Sequence, residues 1–142
     1  IIALAKYEQL EQECAPDREA MHKALFGPQR FVEVLLAEEE GNDEVVGFAL
    51  VFPNFSTFLG KPGLYLEDLF VRPEYRGKGY GKALLGAIAK LVVERGWGRL
   101  DWAVLDWNAP SIAFYKSLGA VALNDWTGYR LTGDALRSLA RT

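Results

Sequence analysis

The stretch Leu64–Val92 constrains the fold more than any other part of the chain. Leu64–Val71 is apolar at nearly every position, the pattern of a strand buried on both faces. Arg72–Gly81 is a short basic connection rich in glycine. From Gly81 onward, apolar residues fall at Leu84, Leu85, Ile88, Leu91 and Val92, the i, i+1, i+4, i+7, i+8 set of one helix face. The reading is strand, glycine turn, helix. Such a turn brings backbone N–H groups and a helix N-terminus to one point, which suits an anion.

Spacing separates the candidate anions. A Walker A loop needs Gly, four residues, then Gly-Lys-Ser/Thr. Here Gly81-Lys82 is followed by Ala83, and Arg76 stands where the first Gly belongs. A dinucleotide fingerprint, G-x-G-x-x-G, is met by Gly77 and Gly79 but broken by Lys82. A third pattern, R-x-x-G-x-G, is complete in Arg76, Gly79 and Gly81. It resembles the pyrophosphate loop of the GNAT family of N-acetyltransferases, which bind acetyl-CoA. An ordinary βα turn that uses glycine for tight geometry is the competing reading of the loop alone.

Composition narrows the classes. A chain of 142 residues suits one domain over residues 1–142 with a proper core. Half the residues are hydrophobic and a quarter charged, as in soluble globular proteins. No apolar run approaches a membrane span and no secretory leader is signalled, so a cytoplasmic protein without a membrane role is expected. The single cysteine, Cys14, excludes an internal disulfide. With the single histidine, His22, it makes no plausible zinc set, so no metal is expected. The net charge of −3 argues against nucleic acid and is compatible with a cationic substrate.

Taken in order, residues 1–13 have helical character, as though the chain began inside a helix with a preceding N-terminal strand missing. The acids Glu8, Glu11, Glu13, Asp17 and Glu19 read first as a solvated face. Asp17 opens a second short helix that ends before Gly27-Pro28. Phe31–Ala37 is a strand, Glu38–Asp43 a hairpin turn and Glu44–Phe52 the return strand, with Gly47 marking a bulge or close backbone approach. Pro53–Lys61 reads as a Phe-rich loop that suits a pocket wall, a dimer surface or a plug of the core edge. The central strand then carries Glu67-Asp68, which no buried strand wants. Alternation would send one carboxylate to each face, unless a bulge lets either reach solvent. The long helix ends near Arg95. Arg99–Trp107 is a strand parallel to the central one. Asn108 caps a helix over residues 109–118, a strand is expected around Trp126–Leu131, and a last helix runs to Ala140.

Further segments extend the resemblance. The strand ending in Trp107-Asn108, followed by Pro110-Ser111-Ile112 and Phe114-Tyr115-Lys116, looks like the GNAT segment whose Asn and helix contact CoA. LAKYE at Leu4–Glu8, FLGKPGLYLEDLFV at Phe58–Val71, AVLDWN and FYKSLGA resemble the branch of spermidine/spermine and thialysine acetyltransferases. The implied fold is α/β (α+β): a mixed central sheet with a βαβ CoA-binding core flanked by helices.

The resemblance also implies roles. Leu69, Phe70 and Val71 would bind pantetheine through backbone groups, as an added strand would. Arg76, Gly77, Lys78, Gly79, Tyr80, Gly81 and Lys82 would hold the pyrophosphate, with Asn108 and Ser111 contacting CoA further along. Tyr115 would protonate the departing thiolate, and Glu67 would accept the amine proton through a water. Asp68, Tyr7, Glu8, Asp101, Trp102 and Ala103 would line the pocket of a small cationic amine, with Trp126 and Tyr129 near it, contributed in some relatives by the mate of a homodimer. Polyamine-specific members place an acid near Thr127. The Thr here weakens the case for a long polyamine and leaves room for a lysine-like amine; the implied acceptor is a polyamine, a diamine or a thialysine- or lysine-like amine. Without the resemblance, Tyr115 reads as a helix-face aromatic. A non-catalytic acyl-CoA sensor and a protein-amine acetyltransferase stand as alternatives.

Overall fold

The computed structural model describes all residues, Ile1–Thr142, in two compact units, Ile1–Leu105 and Asp106–Thr142. The first begins with helices α1 (Ile2–Tyr7) and α2 (Arg18–Phe26), joined through a short 3-10 turn at Glu11–Glu13. Strands β1 (Glu33–Glu38), β2 (Val45–Ser56) and β3 (Lys61–Val71) follow, then helix α3 (Tyr80–Glu94) and strand β4 (Leu100–Trp102). The sheet order is β1-β2-β3-β4. The first two pairings are antiparallel and β3–β4 is parallel, with α3 as the crossover.

The central strand–turn–helix reading holds. Leu84, Leu85, Ile88 and Val92 of α3 are buried, as are Val46, Ala49, Val51, Leu64 and Leu66 of the sheet. Full burial of one such large side chain stabilises by about 1.5–3 kcal/mol, so this stripe alone explains why α3 is the longest helix. Arg95 terminates it with Gly96 at φ 67° behind, a left-handed position that favours glycine.

Several boundaries differ from expectation. The first helix stops at Tyr7, and Gln9 has a left-handed φ of 61° that no helix accommodates. β2 runs through Pro53 to Ser56, leaving a turn of only residues 57–60 where a longer loop was expected. β1 covers β2 only as far as Val51, so Pro53 lies on a free edge where its missing N–H costs no ladder bond. Phe55 and Phe58, on and beyond this extension, are 60% and 97% exposed and plug no core edge. β4 ends at Trp102 rather than at Trp107. Gly47 meets both readings offered for it. Val46 beside it is the extra residue of a bulge opposite Ala37/Glu38, and a Cβ on Gly47 would sit 2.8 Å from the Phe70 carbonyl oxygen.

The second unit holds helices α4 (Ala109–Ser117) and α5 (Gly133–Leu139). Asn108 caps α4 as expected, its side-chain oxygen accepting the Ser111 N–H at 3.4 Å, with Pro110 in the first turn. The strand expected around Trp126–Leu131 does not form. A strand exists only by pairing, and this segment joins no ladder. Its Trp126 and Tyr129 are largely exposed. No helix of the chain is long and apolar enough to cross a membrane.

Candidate active site

The Glu67-Asp68 anomaly is resolved by a bulge. Along the β2–β3 ladder, Leu50 faces Asp68 but Val51 faces Leu66, so Glu67 is an extra residue on β3. Strict alternation is broken at this point. Glu67 is exposed and Asp68 half-buried, and both act electrostatically on the Glu8 carboxyl. Burial, with repulsion from Glu67, pushes the Asp68 carboxyl above its ordinary range. Burial, then Asp68, then Glu67, raise Glu8 in the same way. Tyr65 is raised by burial and by the nearby charges of Glu67 and Asp101. The bulge and the residue following α1 therefore gather three carboxylates whose mutual repulsion a cation would relieve.

Next to this cluster the sheet opens. β3 and β4 pair only at Leu64–Leu100, Tyr65–Asp101 and Leu66–Trp102. β3 then runs on through Glu67–Val71, held on one side by β2 and followed by no strand on the other. Such an edge receives an extended chain by backbone pairing. Leu69, Phe70 and Val71, expected to bind through their backbone, lie along it.

The loop that follows has two kinds of glycine. Gly77 and Gly79 have φ of 75° and 89°, left-handed values that L side chains rarely adopt. Gly79 is the residue before α3, so the first turn starts from a backbone that only glycine takes without strain. Gly81 has no left-handed φ, and a Cβ there would meet nothing nearer than Val71 Cγ2 at 3.9 Å. The fold has room for a side chain at Gly81. An open helix N-terminus with exposed Lys78 and Lys82 beside it fits a pyrophosphate. The Lys78 ammonium lies 4.9 Å from the Tyr75 ring centre, and the Tyr80 ring packs edge-on against Tyr75.

Arg76 turns back toward the strand. Its Nε donates to the Val71 carbonyl at 2.9 Å, and its guanidinium lies 4.7 Å from the Tyr7 ring centre and 5.5 Å from that of Phe70. Tyr7, Glu8, Glu67, Asp68, Phe70, Val71 and Arg76 are thus linked by contact or charge. Trp102 pairs with Leu66 at the mouth of the opening, with Ala103 just past it. Asp101 is already engaged: its Oδ2 accepts from Arg99 Nε at 2.8 Å and from Asn54 Nδ2 at 3.0 Å.

The sequence did not reveal Glu44. Its carboxylate accepts from the Arg72 guanidinium and, at 3.1 Å, from the Tyr75 hydroxyl. Arg72 also meets Glu74 at 2.7 Å. This network ties the 3-10 turn Pro73–Tyr75, which leads into the glycine loop, to the start of β2. The only advance signal was an acid directly before a strand, which is common. In the second unit, Asn108 is buried at the head of α4, Ser111 follows in its first turn, and the half-buried Tyr115 ring contacts Phe114 with centres 5.6 Å apart. Tyr129 is 96% exposed on an irregular segment.

Comparison with known proteins agrees with this arrangement. The model of the Acetyltransferase (GNAT) family matches residues 2–120. An L-ornithine N5-acetyltransferase of Arabidopsis thaliana is 45% identical over 87% of the chain, although the chain spans only 48% of that relative. A thialysine N-epsilon-acetyltransferase of Bos taurus is 38% identical over 96% of the chain and 85% of its own length. Among solved structures, an integron cassette protein from the mobile metagenome of V. cholerae superposes with a TM-score of 0.81 at 30% identity, covering 99% of this chain and 87% of that one. The glycine loop opening α3, the strand β3 running on past the end of β4, and these likenesses lead to one conclusion: the chain belongs to the GNAT family of N-acetyltransferases.

Proposed function

We propose that the protein transfers acetyl from acetyl-CoA to the primary amine of a small cationic substrate, with a lysine- or ornithine-like side chain preferred over a long polyamine. The observation that carries this reading is the Glu8, Glu67 and Asp68 cluster at the β3 bulge, directly beside the open edge and the glycine loop. The two relatives named above support the substrate class. By their names they act on the side-chain amines of ornithine and thialysine. The Thr at 127 supports the preference against long polyamines.

The chain's own residues suit the chemistry. An alkyl ammonium with a pKa of about 10.4 must lose a proton before attack. Asp68 and Glu8 hold the cation, and the exposed Glu67 accepts its proton through a water. The amine nitrogen then bonds to the thioester carbonyl carbon as the carbon–sulfur bond breaks. Tyr115 gives a proton to the departing thiolate, and the second proton that the nitrogen sheds in becoming an amide restores the Tyr115 hydroxyl through solvent. Positioned proton transfer of this kind is worth about 10²–10⁴-fold. Holding amine and thioester in register contributes more, up to about 7–11 kcal/mol. The backbone of Glu67–Val71 and the first turn of α3 supply that register. The protein works in the cytoplasm as a homodimer on this reading, which the branch resemblance supports.

The test is thiol release from acetyl-CoA with ornithine, lysine, thialysine, diamines and spermidine as acceptors. Turnover highest for the amino acids and lost in Glu67→Gln is expected, with Tyr115→Phe slower and acetyl-CoA binding retained in both. No turnover across the panel by a folded protein would overturn the reading.

A further inference from the structure

Arg76 is the first residue of the R-x-x-G-x-G pattern, which assigns it to the anion. Its contacts run elsewhere. Nε donates to the carbonyl of Val71, the last residue of β3, so one edge of the guanidinium is committed to the strand. Its Cζ lies over two rings. One is Tyr7, the last residue of α1 and the neighbour of Glu8. The other is Phe70, 8% exposed and locked in the core. A guanidinium can donate from Nε to a carbonyl and keep its charge over a ring at the same time, which a compact ammonium cannot reproduce.

The end of α1 has backbone bonds of its own, the Glu8 N–H on the Leu4 carbonyl and the Leu10 N–H on the Ala5 carbonyl. The helix is short, its first residue Ile2 is 65% exposed, and Gln9 follows in a left-handed conformation. Only Leu4 and Ala5 are buried. Arg76 adds a tie from the glycine loop to Tyr7, the neighbour of Glu8.

We infer that Arg76 is a positioning residue for the amine subsite: by bridging the Val71 carbonyl and the Tyr7 ring it fixes the end of α1, and so Glu8, against the Glu67-Asp68 bulge. This rests on the function proposed above and adds to it. The loop that faces the cofactor would also set the wall that faces the amine. Occupation of the loop by an anion would act on amine affinity through this one side chain.

Steady-state kinetics with two acyl donors tests it. Acetyl-CoA carries the pyrophosphate; acetyl-pantetheine lacks it. Arg76→Lys keeps the charge but loses the planar fork. It is expected to raise the amine KM about three- to tenfold with both donors, from the loss of a stacked cation and its hydrogen bond. In a cycle with Tyr7→Leu the two effects should be markedly less than additive, with melting temperatures recorded for each variant. An effect confined to acetyl-CoA and absent with acetyl-pantetheine would overturn the inference and leave Arg76 as an anion ligand alone. Additive effects of Arg76→Lys and Tyr7→Leu would overturn it too. An unmodified protein that acetylates none of the amines would instead remove the proposed function, and this inference with it.

Discussion

A Cβ built on Gly81 stands 3.9 Å from Val71 Cγ2 and meets nothing closer. The fold therefore leaves room for a side chain at this glycine. Gly81→Ala should leave stability unchanged or raise it by up to about 0.5–1 kcal/mol, since Ala is the better helix residue. The same change should raise the acetyl-CoA KM at least tenfold. A urea melt and an acetyl-CoA titration on one variant check both halves. A stable variant with unchanged KM would count against the loop as the pyrophosphate cradle.

Gly63 is the opposite case. A Cβ there would lie 2.6 Å from the Arg99 carbonyl oxygen and 2.8 Å from Asn54 Oδ1, where β3 meets the approach to β4. The Arg99 carbonyl, which accepts from the Leu64 N–H, cannot withdraw without loosening the parallel pairing. Gly63→Ala should cost about 1–3 kcal/mol, read as a lower urea midpoint, with catalytic constants unchanged in the fraction that stays folded.

Glu67→Gln should lower kcat by about 10²–10⁴-fold at neutral pH. Its stability should hold, because Glu67 is an exposed bulge residue outside the ladder register. The defect should shrink as pH approaches the amine's own pKa of about 10.4, where the substrate arrives neutral. A pH–rate profile of the variant decides it. A loss that stays constant up to pH 10 would remove Glu67 from proton transfer.

The raised carboxyls give a stability prediction with a definite sign. Asp68 titrates above its unfolded value of 3.8 and Glu8 above 4.5, each first through burial and then through its acidic neighbours. The folded state holds these protons longer than the unfolded state does. Stability from these groups is thus greatest below pH 3.8 and falls as pH rises through the folded values. Asp68→Asn and Glu8→Gln should each be more stable than the parent at pH 7, with the advantage vanishing toward pH 3.5, and each should raise the amine KM. Glu33 runs the other way. The hydrogen bonds from Arg95, at 2.8 and 2.7 Å, hold its carboxyl below 4.5, so its contribution is present above that pH and lost in acid.

How far the chain could be read from sequence follows from the range of the interactions. The α3 stripe, the Asp17 and Asn108 caps and the glycine turn are written within a few residues of themselves, and all were legible. The branch of the family was legible from short blocks around Glu67 and Tyr115. The extension of β2 through Pro53 was not, because proline is excluded from a strand only where both sides are paired. That depends on where β1 stops, which its own residues do not signal. The Glu67 bulge was visible only as a misfit, since a bulge is a property of two registers. The contact of Arg76 with the Tyr7 ring spans most of the unit's sequence, and a motif that already explains an arginine gives no reason to look for a second role.

The run of β3 past the end of β4 has a consequence for handling the protein. The Glu67–Val71 edge, roughly 16 Å long at about 3.3 Å per residue, offers a sheet margin to any extended chain. Unfolded or neighbouring copies of the protein are eligible too. Concentrated samples without acyl donor should therefore self-associate sooner on warming than samples with CoA, whose extended arm would close the same margin.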